Sequence, residues 1–147
     1  MSGEQNKELM RRFTRDFNES AGDLSKIRSL YEGILATNYV GHSLLRGDMN
    51  REQRIQYVLA TAPALPDLTY AEDDMLAEGD KVVTRYTARA THKGPFMGIP
   101  ATGKQVSVKG IQINRFADGK IAETWDHMDY LGLMTQLGLG PVAKPNK

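Results

Sequence analysis

Apolar residues in the first part of the chain recur with the spacing of helices. One stripe consists of Leu9, Met10, Phe13 and Phe17, and a stronger one of Leu24, Ile27, Leu30, Tyr31, Ile34 and Leu35. Apolar side chains at intervals of three, four and seven residues lie on one face of a helix and pack against a core. The pattern therefore predicts two amphipathic helices, with a break at residues 18–23.

A third helix is predicted from its capping signal. Asn50 can accept a hydrogen bond from the backbone three residues on, and Gln53 can return one, which is a variant of the capping box. Pro63 and Pro66 close this helical segment. Residues 38–48, between the second and third helices, are predicted to form a loop.

After Pro66 the pattern changes to that of strands. Segments rich in β-branched and aromatic residues lie at residues 67–80, 81–92, 105–116 and 120–129. A Gly79–Asp80 turn joins the first pair, and Asp118–Gly119, a strong signal for a two-residue hairpin, joins the second. Residues 130–138 are predicted to form a short helix, and a disordered tail is expected from about residue 140.

Helices followed by strands favour an α+β fold. We expect a single domain over residues 1–147, with three N-terminal helices packed on a strongly curved antiparallel sheet and a short C-terminal helix. A long twisted sheet can curl over the helices and leave a cavity between the two layers. We expect one dominant cavity, in contact with Trp125.

Composition excludes several kinds of chemistry. The chain has no cysteine, and its three histidines, His42, His92 and His127, include no pair at a metal-ligand spacing. We therefore expect no disulfide, metal or cofactor. The formal net charge of +1 predicts neither a nucleic-acid partner nor a membrane surface. The polar N-terminus lacks the apolar region of a signal peptide, and no apolar run approaches the ~20 residues of a membrane span, so a cytoplasmic location is expected.

Three segments of the second half resemble, in the same order, motifs of the SnoaL-like polyketide cyclases. They are THKGPFMGIPATGK at residues 91–104, FADGKIAETWDHMD at residues 116–129 and YLGLMTQLG at residues 130–138. Residues 15–23, RDFNESAGD, are similar to the family's first-helix F-N-x-G motif, and LLRG at residues 44–47 matches more weakly. These ester cyclases fall in the nuclear transport factor-like superfamily that includes ketosteroid isomerase and scytalone dehydratase.

The resemblance implies a conical α+β barrel, often a homodimer or homotetramer, that closes rings on polyketides by an aldol reaction without metal or cofactor. In such cyclases an aspartate near the end of the last strand acts as acid and base. Counting from the D-G-K-I turn places Asp126 at that position, and the broader W-x-x-x-D pattern also includes Asp129.

The sequence departs from the family pattern on the neighbouring strand. The resemblance implies a histidine and a glutamine close to the aspartate, but the same count places Gln112 at the histidine position and Gly110 at the glutamine position. Gln112 can donate a hydrogen bond but cannot shuttle a proton. The fold is unaffected by this departure, whereas the identity of the reaction is left open.

Alternation along the last strand separates the two aspartates. A regular strand places Trp125, His127 and Asp129 on one face and Asp126 on the other. Only a β-bulge would bring both carboxylates to one cavity. Asp129 also precedes the last predicted helix, so it is well placed to cap that helix instead of acting on a substrate.

Further candidates surround this strand. His92 is either a structural histidine or a pocket acid, and Asn114 is a candidate polar partner of the aspartate. Trp125 is either part of the core or pocket wall or an aromatic platform that binds a flat substrate. Candidate substrate-binding residues, besides Trp125 and Asn114, are Phe17, Tyr86, Phe96 and Met97.

We expect an enzyme that closes a ring on a polyketide or a related conjugated carbonyl compound. A pericyclic cyclase, a dehydratase or an isomerase would use the same cavity, and a non-catalytic small-molecule binding protein is the alternative of another class. Ile111 and Ile113 supply apolar surface for an association between subunits if their face points away from the cavity.

Overall fold

The computed structural model describes residues 2–139, which form four helices and six strands. The helices are α1 (Gly3–Glu19), α2 (Leu24–Ile34), α3 (Arg51–Thr61) and α4 (Tyr130–Gln136). The strands are β1 (Leu35–Ser43), β2 (Gly47–Asn50), β3 (Thr69–Glu78), β4 (Lys81–Thr91), β5 (Gln105–Ala117) and β6 (Lys120–Met128). The tail expected to be disordered lies outside the described residues. Within them, no helix has the length and apolar composition needed to cross a membrane.

Polar caps determine where the helices begin. The Asn50 side chain accepts a hydrogen bond from the backbone of Gln53 at 2.9 Å, and the Gln53 side chain accepts one from the backbone of Asn50 at 2.9 Å. The prediction of the third helix is therefore confirmed. Asp23 caps α2 and Asp129 caps α4. Each cap satisfies a backbone N–H that has no partner inside its helix.

The strands form one open, mixed sheet in the order β2-β1-β6-β5-β4-β3. Neighbouring strands are antiparallel except β1 and β6, which are parallel. The α+β class is confirmed, but the prediction of a strongly curved, wholly antiparallel barrel is wrong. Strands β2 and β3 are the two edges of the sheet, which does not curl into a closed cone.

Strands β1 and β2 lie where the sequence predicted a loop. Strand β1 begins at Leu35, directly after α2, so the apolar stripe of the helix runs on into a strand. Tyr39 and Gly41 are buried and Val40 is exposed, which is the alternation of a strand. This alternation is too short to identify from the sequence, and the parallel partner β6 lies far along the chain. The loop prediction for residues 38–48 is therefore wrong, except for the turn at residues 44–46.

The Asp118–Gly119 hairpin sets the register of the strands that carry the site. These two residues have φ values of 51° and 77°, the left-handed conformation that a type I′ turn requires. The resulting register places Gln112 of β5 opposite Asp126 of β6. The hairpins predicted between β3 and β4 and between β5 and β6 are both confirmed.

Two apolar clusters join the helices to the sheet. The larger includes Met10, Phe17, Ile27, Tyr31, Ile55, Val82, Phe116 and Ile121, and the smaller includes Ala90, Ile99, Val106, Val108, Leu133 and Leu137. In the larger cluster the rings of Phe13 and Tyr31 meet edge to face with centroids 5.0 Å apart, a geometry that stabilises aromatic pairs beyond their buried area. Residues of both clusters line a cavity between the helices and the sheet.

Candidate active site

Two adjoining cavities lie between the helices and the sheet. The first cavity, of about 110 Å³, has a largely apolar wall that includes Phe17, Ile27, Leu65, Leu68, Phe96, Val106, Val108 and Leu133. The second cavity, of about 80 Å³, extends along strands β3, β4 and β5 and has more polar side chains in its wall. Both cavities are lined by Tyr31, Tyr39, Arg54, Tyr70, Thr124 and Asp126. A ligand in either cavity therefore meets the same group of polar residues.

Asp126 lies where the two cavities meet. Alternation along β6 points Thr124, Asp126 and Met128 into the first cavity. Burial raises the pKa of the Asp126 carboxyl, because the charged form loses hydration, although Tyr86 and Arg54 oppose this rise. A carboxylate with a raised pKa is a better base than one in water, and its acid form is a usable proton donor.

The hydroxyl of Tyr86 donates a hydrogen bond to Oδ1 of Asp126 at 2.8 Å. Gly110 makes this contact possible. It lies opposite Tyr86 in the sheet, and a Cβ at Gly110 would overlap with the Tyr86 hydroxyl. The glycine at the position where the resemblance implies glutamine therefore leaves room for a tyrosine, which takes over the contact with Asp126.

Arg54 is a cationic group that lines both cavities together with Asp126, and sequence reasoning missed it. It lies on α3, with Cζ 5.2 Å from the ring centroid of Tyr31. Its charge lowers the pKa of Asp126 and so opposes the effect of burial. A signal was present in the sequence, because Arg54 precedes Val58 by four residues and so shares the apolar face of the helix.

Tyrosines supply most of the other polar atoms around Asp126. Burial raises the pKa values of Tyr31, Tyr70 and Tyr130, so their phenols stay protonated at neutral pH. A protonated phenol can donate a hydrogen bond to a carbonyl or alkoxide oxygen of a ligand. Sequence reasoning identified Tyr86 but not these three tyrosines. Tyr31 lies in the apolar stripe of a predicted helix, Tyr70 in a predicted strand and Tyr130 at the start of the last predicted helix.

A hydrogen-bonded polar group forms part of the second cavity. Asn114 donates to Oε1 of Gln112 at 2.8 Å, and Thr124 donates to Oδ1 of Asn114 at 2.6 Å. On the β3 side, Thr14 donates to Glu72 at 2.7 Å, and burial raises the pKa of this second carboxyl. Asn114 thus holds the side chain of Gln112, which lies opposite Asp126 in the sheet.

The structure brings together six of the ten predicted site residues. Phe17 and Phe96 line the first cavity, Tyr86, Gln112 and Asn114 line the second, and Asp126 lines both. The other four, Trp125, Asp129, His92 and Met97, line neither cavity.

Trp125 lies on the opposite face of β6. Its ring stacks on His42 with centroids 5.5 Å apart, and His42 is hydrogen-bonded to Glu123 at 2.7 Å. The expectation that the cavity touches Trp125 is therefore wrong. The reason is the strand alternation, which sends Trp125 and Asp126 to opposite sides of the sheet.

The remaining three residues, Asp129, His92 and Met97, have structural roles outside the cavities. The Asp129 side chain accepts a hydrogen bond from the backbone of Gly132 at 2.8 Å, which is its predicted role as a helix cap. His92 is fully buried beside Thr102, with Nδ1 3.0 Å from the threonine hydroxyl. Met97 packs against the smaller apolar cluster.

No group of three or more histidine, aspartate or glutamate side chains within residues 2–139 is arranged to hold a metal ion. The acid–base groups of the candidate site are instead the carboxyls of Asp126 and Glu72, which both line the second cavity. Tyr86 is hydrogen-bonded to Asp126, and the charge of Arg54 acts on it.

The family model described as SnoaL-like polyketide cyclase matches residues 8–137. The match covers most of the chain, which therefore belongs to the SnoaL-like polyketide cyclase family. The resemblance seen in the sequence motifs is confirmed.

Two solved structures share this fold over nearly the whole chain. AclR from Streptomyces galilaeus is 30% identical, with a TM-score of 0.83, and the match covers 97% of this chain and 91% of AclR. TsrD from Streptomyces laurentii is 33% identical, with a TM-score of 0.80, and the match covers 95% of this chain and 98% of TsrD.

A curated relative provides a more specific comparison over a shorter stretch. Aklanonic acid methyl ester cyclase DnrD from Streptomyces peucetius is 33% identical over 84 residues, which cover 57% of this chain and 54% of DnrD. The matched stretch therefore spans about half the length of the curated relatives.

Proposed function

We propose that the protein closes a ring on a polyketide or a related conjugated carbonyl compound, with Asp126 as acid and base and without metal or cofactor. The observation that supports this most directly is the buried carboxyl of Asp126 between two cavities, where burial raises its pKa and Tyr86 donates a hydrogen bond to it. This is the arrangement that general acid–base catalysis needs at neutral pH.

In the proposed aldol closure, Asp126 removes a proton from the carbon next to a substrate carbonyl. The carbanion attacks a second carbonyl of the same molecule, a carbon–carbon bond forms, and the attacked oxygen becomes an alkoxide. The proton held by Asp126 then neutralises this alkoxide, so the product is an isomer of the substrate. Buried phenols such as Tyr31 and Tyr70 line the space in which the oxygen would develop charge.

The wall of the first cavity favours a flat, largely apolar substrate. Phe17 and Phe96 are the proposed apolar contacts, and Gln112 and Asn114 are the proposed polar contacts in the second cavity. Aklanonic acid methyl ester is the first compound to assay, because DnrD is named as its cyclase. The experiment that tests the function is the rate of ring closure by Asp126→Asn protein beside Asp129→Asn protein.

A pericyclic ring closure is the second candidate. Gln112 and Gly110 occupy the positions at which the family resemblance implies a histidine and a glutamine, so this site has fewer groups able to move protons. A cavity that only folds its substrate needs shape more than a base. AclR, described as a candidate hydroxylase, also indicates that this fold accommodates other chemistry.

Tyr86→Phe should move the acid limb of the pH–rate profile to higher pH. The Tyr86 hydroxyl lowers the pKa of Asp126, so its removal raises that pKa further. The base form of Asp126 then exists only at higher pH, and kcat/KM falls at a pH where the unmodified protein is still active. Tyr70→Phe is the matched control, because Tyr70 lines both cavities but is not the donor to Asp126. An unshifted limb in Tyr86→Phe protein would contradict the assignment.

We also propose that the protein is a homodimer or a larger symmetric oligomer. Ile111 lies on the face of β5 away from the cavities and is 50% exposed. A two-fold axis would bury this apolar face against its copy. Light scattering at micromolar concentration should give at least twice the mass of the chain, and Ile111→Glu should lower that mass. A monomer before any substitution would contradict the proposal.

A further inference from the structure

The side chain of Thr84 is an unexplained polar group in the wall of the second cavity. Thr84 is 3% exposed, and its hydroxyl oxygen has no hydrogen-bond partner within residues 2–139. Buried hydroxyls are costly when unpaired, and most of them in native proteins are hydrogen-bonded. A ligand that enters the second cavity, which Thr84 lines, would offer this hydroxyl a partner.

Sheet register places Thr84 in line with the candidate catalytic group. Thr84 of β4 lies opposite Gln112 of β5, and Gln112 lies opposite Asp126 of β6. All three side chains line the second cavity. Adjacent strands are about 4.8 Å apart, so the Cα atoms of Thr84 and Asp126 are separated by about 10 Å. A ligand that contacts both Thr84 and Asp126 would therefore carry two polar atoms separated by several bonds.

Several polar side chains near Thr84 are paired within the described part of the chain, whereas the buried hydroxyl of Thr84 is not. Asn114 bonds to Gln112 and Thr124, and Glu72 bonds to Thr14. A hydroxyl can both donate and accept a hydrogen bond, so it suits either a carbonyl oxygen or a hydroxyl group of a ligand.

We propose that the second cavity is a binding subsite for an oxygen atom of the substrate, a ring carbonyl or hydroxyl remote from the reacting carbon, and that Thr84 recognises it. The subsite proposal rests on the proposed function in one respect, namely that the ligand is a conjugated ring compound. The substrate class is thereby narrowed to compounds oxygenated at the end that reaches past Asp126. Thr84 is a specificity-determining residue, because it contacts the substrate away from the bond that forms.

The test is a comparison of two probes of equal shape, 2-naphthol and 2-methylnaphthalene, by fluorescence titration of the purified protein. The unmodified protein should bind 2-naphthol more tightly. Thr84→Val replaces the hydroxyl with a methyl group of similar size and should reduce the preference for 2-naphthol by about 2–10-fold, the usual range for one hydrogen bond. Thr84→Ser keeps a hydroxyl and should retain the preference. If Thr84→Val protein does not fold, Thr84→Ala serves the same comparison.

Thr87→Val is the matched control. Thr87 lies on the same strand, is buried and donates to Asp73 at 2.6 Å, but it lines neither cavity. This substitution should lower the melting temperature and leave the ratio of the two affinities unchanged. Thr84→Val should not lower the melting temperature, because it removes an unpaired buried hydroxyl.

Equal probe preference in the unmodified and Thr84→Val proteins would overturn the proposal and show that the Thr84 hydroxyl does not contact the probe. Failure of both probes to bind would also overturn it. Neither outcome bears on the rate of Asp126→Asn protein, which tests ring closure itself. The subsite proposal and the proposed function can therefore be overturned independently.

Discussion

Asp126→Asn protein should close the ring roughly 10²–10⁴-fold more slowly than the unmodified protein, which is the usual contribution of general acid–base catalysis. Asparagine keeps the shape of the side chain and an oxygen that can accept the Tyr86 hydrogen bond, but it cannot take up a proton. Substrate affinity should therefore change little. The measurement is single-turnover kinetics with saturating protein, which separates the chemical step from binding.

Stability should respond in the opposite direction to activity. Burial raises the pKa of Asp126 in the folded state, so the folded protein binds this proton more tightly than the unfolded chain. The stability that Asp126 contributes is fully present below the pKa that its carboxyl has in the unfolded chain. It is lost as pH rises through the pKa that the same carboxyl has in the folded protein. At neutral pH the Asp126→Asn protein should therefore melt no lower than the unmodified protein, and the difference between them should vanish in acid.

Asp129→Asn is the control for this experiment. Asn and Asp cap helices about equally well, so both stability and turnover should stay close to those of the unmodified protein. A slow Asp129→Asn protein with a normal Asp126→Asn protein would move the acid–base role to Asp129. Normal rates in both would favour the pericyclic mechanism, in which the cavity folds the substrate without proton transfer by either group.

Local signals predicted the part of the fold that carries Asp126. The Asp118–Gly119 turn and the two-residue alternation after it were sufficient to separate the faces of β6, because turn type and strand period depend on neighbouring residues only. Strand β1 was missed because its parallel pairing with β6 is a long-range contact. No periodicity within a few residues encodes such a contact.

The polar residues of the site were harder to predict than its strand. An arginine on a helix usually faces solvent, and in the sequence only the four-residue spacing from Val58 places Arg54 on the side of the cavity. Glu72 lies in a run of acidic residues whose other members, Asp73 and Asp74, are exposed. Which of these charges is buried depends on how α1 packs on β3, and that packing is decided by tertiary contacts.

Gly110→Ala should destabilise the protein by about 1–3 kcal/mol, the usual cost of an added group that overlaps a neighbouring side chain. The new Cβ would overlap with the ring and hydroxyl of Tyr86, which packs edge to face on Tyr70, so the Tyr86 ring must shift toward the second cavity that it lines. Displacement of Tyr86 would also break its hydrogen bond to Asp126 and shift the acid limb of the pH–rate profile upward, as in Tyr86→Phe protein. Chemical denaturation and the pH profile measure the two effects.

Two comparisons make this prediction specific to the contact between Gly110 and Tyr86. In a Tyr86→Ala background the added methyl group has space, so Gly110→Ala should cost much less there, with a coupling energy of about 0.5–3 kcal/mol. Gly33→Ala is the matched control, since a Cβ at Gly33 on α2 meets no atom within 4 Å. Alanine is the better helix former, so that variant should gain about 0.5–1 kcal/mol. Gly110→Ala protein with unchanged stability and an unchanged pH profile would show that Tyr86 adapts freely. Gly110 would then not be what allows the tyrosine to reach Asp126.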